Sequence, residues 1–96
     1  MAAIRAYLVC YDISTPKRLR RVAKILEGYG IRIQESVFFC KLSDTMRARL
    51  NQEVTQVINH QDDQIVLVDL GNDPKVLDGF ISIGRKIPPT PQIIVV

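Results

Sequence analysis

Apolar residues recur along this chain in two periods, and the switches between them mark the elements. "IRAYLVCYDI", residues 4–13, is rich in Tyr, Val and Ile and reads as a buried strand ending near Asp12. "STP" follows as a helix entry. Ser14 or Thr15 can cap free N–H groups, and Pro16 suits the first helical position because its missing N–H costs nothing there. The helix is expected over residues 16–29, ended by Gly28 and Gly30. At about 100° per residue, Leu19, Val22, Ala23, Leu26 and Tyr29 fall on one arc, ready to pack on a sheet. Lys17, Arg20, Arg21 and Lys24 fall on the opposite side, with Arg18 near a border.

"IRIQESVFFCKL", residues 31–42, is a second extended segment, either one strand or two with a break near Ser36. A helix follows in "SDTMRARLNQEVTQVINH". Ser43 is its expected N-cap, Asp44 sits well against its positive end, and Met46, Leu50, Val54, Val57 and Ile58 form a core stripe. "QIVLVDLG" is a third strand stopped by the turn cluster "GNDP", and "GFISIG" a short fourth. "RKIPPTPQ" reads as a stiff, extended linker delivering a last apolar run, "QIIVV". The order β-α-β-α-β-β, with an appended strand, predicts one α+β domain over residues 1–96. The economical solution is a ferredoxin-like sandwich, an antiparallel-type sheet with both helices on one face.

A sheet covered on one face should show polar residues on the other. The first strand does not: Leu8 and Cys10 point one way, and Tyr7, Val9 and Tyr11 the other. Val66, Val68 and Leu70 against Ile65 and Leu67 repeat the pattern. Both faces call for burial, which predicts a homodimer packed sheet on sheet. The tethered segment 85–96 is then free to pair with an edge strand, the partner's included.

Composition adds an electrostatic asymmetry. The chain has 96 residues, 47% of them hydrophobic, and a formal net charge of +3. Ten Lys or Arg face four Asp or Glu up to Arg49, and three face six beyond it. The cationic half calls for a polyanionic partner, nucleic acid first, while the acidic half argues against general stickiness. No apolar run approaches the roughly 20 residues that span a bilayer. Arg5 within the first apolar run and the lack of a basic leader argue against a signal peptide, so a cytoplasmic protein with Cys10 and Cys40 reduced is expected.

Asp12 poses the chemical question, because a carboxylate repels the phosphates that the following basic helix would attract. Either it is a turn residue, or a cation sits between it and a phosphate. Mg²⁺ usually takes one or two carboxylates plus water or phosphate oxygens, and the local sequence offers one. A dimer axis near the strand end would supply a second Asp12, and the shared ion could polarise a phosphate and help form hydroxide. His60 reads as an exposed helix-end residue, Asp62 and Asp63 as a solvated loop, and Asp69 as a turn residue or outer partner. No Ser-His-Asp set, phosphate-binding loop, zinc spacing or dinucleotide glycine pattern is present.

Taken together, "YLVCYDI", the basic "PKRLRRVAKILEGYG" and "RIQESVFFCKL" resemble the CRISPR-associated endonuclease 2 family, over nearly the whole chain. The "YD" ending the first strand and the "Q-x-SVF" segment are the most specific parts. The resemblance implies a ferredoxin-like symmetric dimer with exchanged C-terminal strands, a partner of the CRISPR integrase in spacer acquisition. It places the family's metal-binding aspartate on Asp12, for Mg²⁺ or Mn²⁺. Tyr11, Arg21, Arg32 and Phe38 match positions implicated near the active site in some members, and Arg18 and Arg20 match the family's cationic helix loosely. From the helix projection, Lys17, Arg18, Arg20, Arg21 and Lys24 are the expected nucleic-acid-binding residues. Glu35, where a Tyr is common, and Phe39, where an acidic or small residue is frequent, depart from the pattern. The implied roles are bridging of integrase subunits on duplex DNA and metal-dependent cleavage of double-stranded DNA or single-stranded RNA. A free-standing endoribonuclease of the virulence-associated type D toxin kind, or a ferredoxin-like regulatory dimer, would share the architecture.

Overall fold

The computed structural model of the chain describes residues 3–85 and 94–95. Strand β1 spans Ile4–Asp12, helix α1 Pro16–Glu27, β2 Gly30–Gln34, β3 Val37–Ser43, helix α2 Asp44–Thr55 and β4 Gln64–Gly71. The four strands form one antiparallel sheet in the order β2-β3-β1-β4. The segment 31–42 is therefore two strands, turning at Glu35 and Ser36, with a register shift between Arg32 and Gln34.

Local chemistry sets the helix ends. Thr15, rather than Ser14, caps α1 by accepting from the Arg18 N–H at 3.4 Å, and Ser43 caps α2 by accepting from the Met46 N–H at 3.2 Å. Helix α1 stops at Glu27, two residues before the expected end. Gly28 closes it with an ordinary right-handed backbone, φ −79°, so no left-handed glycine cap is used.

Both helices lie on one face of the sheet. Val22, Ala23 and Leu26 of α1 and Leu50 and Val54 of α2 pack there with Tyr7, Val9, Tyr11, Phe38, Cys40 and Leu42. The two-residue alternation of β1 sorts these from Leu8 and Cys10 on the other face, as the sequence pattern requires. Helix α2 leaves a crevice of about 340 Å³ against β4, which is why Ile65 and Leu67 are incompletely covered.

The second face carries a cover that the sequence pattern missed. After β4 the chain folds back through a short 3-10 turn, Val76–Gly79, which seats Leu77, Val76 and Phe80 on Ala6, Phe39, Leu8, Ile33 and Leu70. Phe80 meets Phe39 edge-on, with ring centroids 5.7 Å apart. The cover stops short of the β4 end of the face, where Val66 and Val68 remain 42% and 43% exposed. Strand β5, Ile81–Ser82, does not join the main sheet; it pairs in parallel with β6, Ile94–Val95, of the same chain. The rest of the expected tail, residues 86–93 and 96, lies outside the described residues.

Candidate nucleic-acid and metal site

The end of β1 gathers most of the residues singled out from sequence, but on two faces. Tyr11 is buried on the helix side, with its ring centroid 6.2 Å from that of Phe38. Its hydroxyl donates to the Glu35 carbonyl at 2.8 Å, and its backbone N–H donates to the Ser36 carbonyl at 3.0 Å. Burial pushes the Tyr11 hydroxyl pKa up, with the Arg32 charge opposing. Phe38 is a core residue, and the Arg32 guanidinium lies over its ring, 5.2 Å from the centroid. Phe38 is thus the floor under Arg32, with Tyr11 packed beside it, and a phenyl ring offers no proton to a reaction.

Asp12 follows Tyr11 but faces the other way. It pairs with Gln64, and the register from Tyr7 to Asp12 against β4 has no slip, so alternation puts Asp12 on the face of Leu8 and Cys10. That is the incompletely covered face. Asp12 is exposed, and among the described residues no three His, Cys, Asp or Glu converge as a metal cage. One protomer therefore offers a cation a single open carboxylate, the situation in which a twin across an axis would complete the site.

The basic face is formed as projected. Lys17, Arg20, Arg21 and Lys24 are exposed on α1, and no acidic residue stands in its first turn. The ion pairs among the described residues are Arg5–Asp69 and Arg18–Asp63, so none of these four cations is neutralised by one. Arg18 differs. Its Nε donates to Asp63 Oδ2 at 2.7 Å and its Nη2 to Asp63 Oδ1 at 3.1 Å.

Asp63 corrects the reading of "QDDQ" as a solvated loop. Asp62 is exposed, but the Asp63 side chain is fully buried. It also accepts from the Ser14 N–H and Oγ, each at 2.9 Å, and from the Asn59 N–H at 2.8 Å. The Arg18 hydrogen bond, followed by the Ser14 and Asn59 N–H groups, holds its carboxyl well below the usual range against the cost of burial. The one sequence signal was Asp63 standing just before a strand. Asp69 pairs with Arg5 at 3.0 Å beside Tyr7, five positions along β1 from Asp12, and takes no part in this end. His60 is exposed, as expected, its Nε2 3.2 Å from the Thr55 carbonyl oxygen.

The departures from the family pattern also find places. Glu35 is exposed in the β2–β3 turn, and Phe39 is buried under Phe80 and Leu77, where an acid would be stranded. Cys40 is buried, its thiol pKa pushed up to about 11 by burial, whereas Cys10 is only half-buried; neither is in a disulfide.

A model of the family described as "CRISPR associated protein Cas2" matches residues 5–75, which include both candidate surfaces. The chain belongs to the Cas2 family. It is 34% identical over 83 residues to the CRISPR-associated endoribonuclease Cas2 of Geobacter sulfurreducens, covering 86% of this chain and 87% of that one. Among solved structures, Streptococcus pyogenes Cas2 superposes with a TM-score of 0.65 at 39% identity, over 69% of this chain and 86% of the other. A chain of a partial Cas6-RT-Cas1–Cas2 complex superposes with a TM-score of 0.63 at 26% identity, over 78% of this chain and 86% of the other. This is the family that its sequence resembled. No helix among the described residues is long and apolar enough to cross a membrane.

Proposed function

We propose that this Cas2 protein is a dimeric spacer-acquisition component that binds duplex DNA through α1 and bridges subunits of the CRISPR integrase. The observation that carries the reading is the row Lys17, Arg20, Arg21 and Lys24, exposed on one helix face and in no ion pair among the described residues. Such a row tracks phosphates without reading bases, which suits a protein that must accept any sequence. Its fold likeness to a chain from a complex that contains Cas1 and Cas2 supports the integrase as partner.

In the same reading the dimer forms across the face that carries Leu8, Val66 and Val68, and Asp12 meets its twin at the strand ends. Two exposed carboxylates would hold Mg²⁺ or Mn²⁺, and the bound ion supplies Lewis-acid chemistry for phosphodiester hydrolysis. Arg21 and Arg32 offset phosphate charge. Phe38, with Tyr11 packed beside it, keeps Arg32 in place. The endoribonuclease and endonuclease names of Cas2 relatives support a cleavage activity on RNA or DNA beside the scaffolding role.

The test is a titration of duplex DNA and single-stranded RNA across salt, with and without Mg²⁺, using wild type, Asp12→Ala and the fourfold Ala variant of the basic row. Each phosphate contact contributes about −0.9 to the log–log salt slope on B-DNA. The fourfold variant is expected to flatten that slope, and Asp12→Ala to keep it while losing metal-dependent cleavage. Undiminished cleavage by Asp12→Ala removes Asp12 from the chemistry, and a wild-type slope near zero removes the helix face from binding.

A further inference from the structure

Asp12 sits between two anchors. On one side Tyr11 is tied to the Glu35–Ser36 turn through its hydroxyl and its N–H. On the other, Ser14 is tied to Asp63, the residue preceding Gln64, which is the cross-strand partner of Asp12. The Asp63 carboxylate accepts five hydrogen bonds, two from Ser14, two from Arg18 and one from Asn59. A buried carboxylate whose oxygens are satisfied this way resists any shift of the turn, because a shift leaves buried charge short of partners.

The same bonds set the direction of Arg18. Its Nε and Nη2 point at Asp63, and Nη2 also reaches Ser14 Oγ at 3.0 Å. Helical projection places five cations on or beside the outer surface of α1; the structure leaves four free of ion pairs among the described residues and turns the fifth inward.

We propose that Asp63 is a positioning residue of this site: it fixes the turn that follows Asp12 and withholds Arg18 from the phosphate-facing surface. This rests on the reading of α1 as that surface and of Asp12 as the metal ligand, so the test includes a readout that needs neither nucleic acid nor metal. In the free protein, the Ser14 amide and the Arg18 Nε–H are expected to exchange slowly with solvent, and Asp63→Asn to speed both by about tenfold or more. On duplex DNA, Arg20→Ala is expected to reduce the salt slope by about 0.9, Arg18→Ala to leave it unchanged, and Asp63→Asn to steepen it by about 0.9 as Arg18 swings free.

A slope that falls as far in Arg18→Ala as in Arg20→Ala overturns the proposal. So does fast exchange at Ser14 in the wild type. Lost protection with an unchanged slope in Asp63→Asn makes Asp63 a fold residue only, and overturns it too. If wild-type binding proves insensitive to salt, the nucleic-acid reading falls by itself and the exchange rates alone decide for Asp63. Should Asp63→Asn fail to fold, the Arg18→Ala slope and the wild-type exchange rates still decide between these outcomes.

Discussion

At Gly30, where β2 begins, the absence of a side chain is a packing requirement. A Cβ there would lie 2.2 Å from the Phe39 carbonyl oxygen and 2.6 Å from Cys40 Sγ, with the Cys40 Cα at 2.9 Å. Two of those atoms are backbone of the neighbouring strand and cannot swing aside. Gly28, two residues earlier, is different: its added Cβ would meet only the Ile25 carbonyl oxygen, at 3.3 Å. Gly30→Ala is therefore expected to destabilise by about 1–3 kcal/mol or more, as overpacking does. Gly28→Ala is expected to cost much less. Denaturant midpoints at unchanged m-value measure both, and equal losses would mean that β2 can move away from β3. Sequence alone marks the two glycines alike, as helix stoppers, because the contact that separates them lies across a strand pair.

Asp63 acts at the scale of elements, since its carboxylate joins the start of α1 to the connection between α2 and β4. Its folded pKa is depressed, so the stability it contributes is complete above the ordinary Asp value of 3.8 and declines as pH falls from there toward the folded value. The melting-temperature gap between wild type and Asp63→Asn is expected to stay constant above about pH 5 and to shrink below the ordinary Asp value. Asp69, depressed by Arg5 and the Gly71 N–H, loses stability in the same direction. It does so in both proteins, and the difference isolates Asp63. A gap that widens on acidification would show that the carboxyl is not held down by Arg18. None of this was legible in "QDDQ": Ser14 and Asp63 are far apart in the chain, and two adjacent acids among glutamines carry the pattern of a solvated loop. The elements themselves were legible, because β1 is rich in Tyr, Val and Ile and α1 separates Val22, Ala23 and Leu26 from Lys17, Arg20, Arg21 and Lys24. The 3-10 cover over the second face was not, since "KVLDGF" is too short to show a period. The apolar second face was visible all the same, in Leu8, Cys10, Val66 and Val68.

For the whole molecule, the decisive quantity is how that second face is completed. The chain covers one end of it with Leu77 and Phe80 and leaves Val66 and Val68 open beside Leu8, Cys10 and Asp12. Apolar residues of a central sheet left in water are unfavourable by roughly 25 cal/mol per Å², and a second copy offers the same patch in complementary form. Val68→Glu puts a charge in the middle of this patch, opposite Leu8, while removing no contact of the helix-side core. Wild type is expected to sediment at micromolar concentration with about twice the 10.9 kDa chain mass, and Val68→Glu with the single-chain mass. Because the second Asp12 would come from the partner, Val68→Glu is also expected to lose Mn²⁺ binding, as Asp12→Ala does, while keeping its circular dichroism. A Val68→Glu protein that stays dimeric would move the interface elsewhere. One that is monomeric yet binds Mn²⁺ as tightly as wild type would separate the metal from the symmetry, leaving α1 as the surface on which the biology rests.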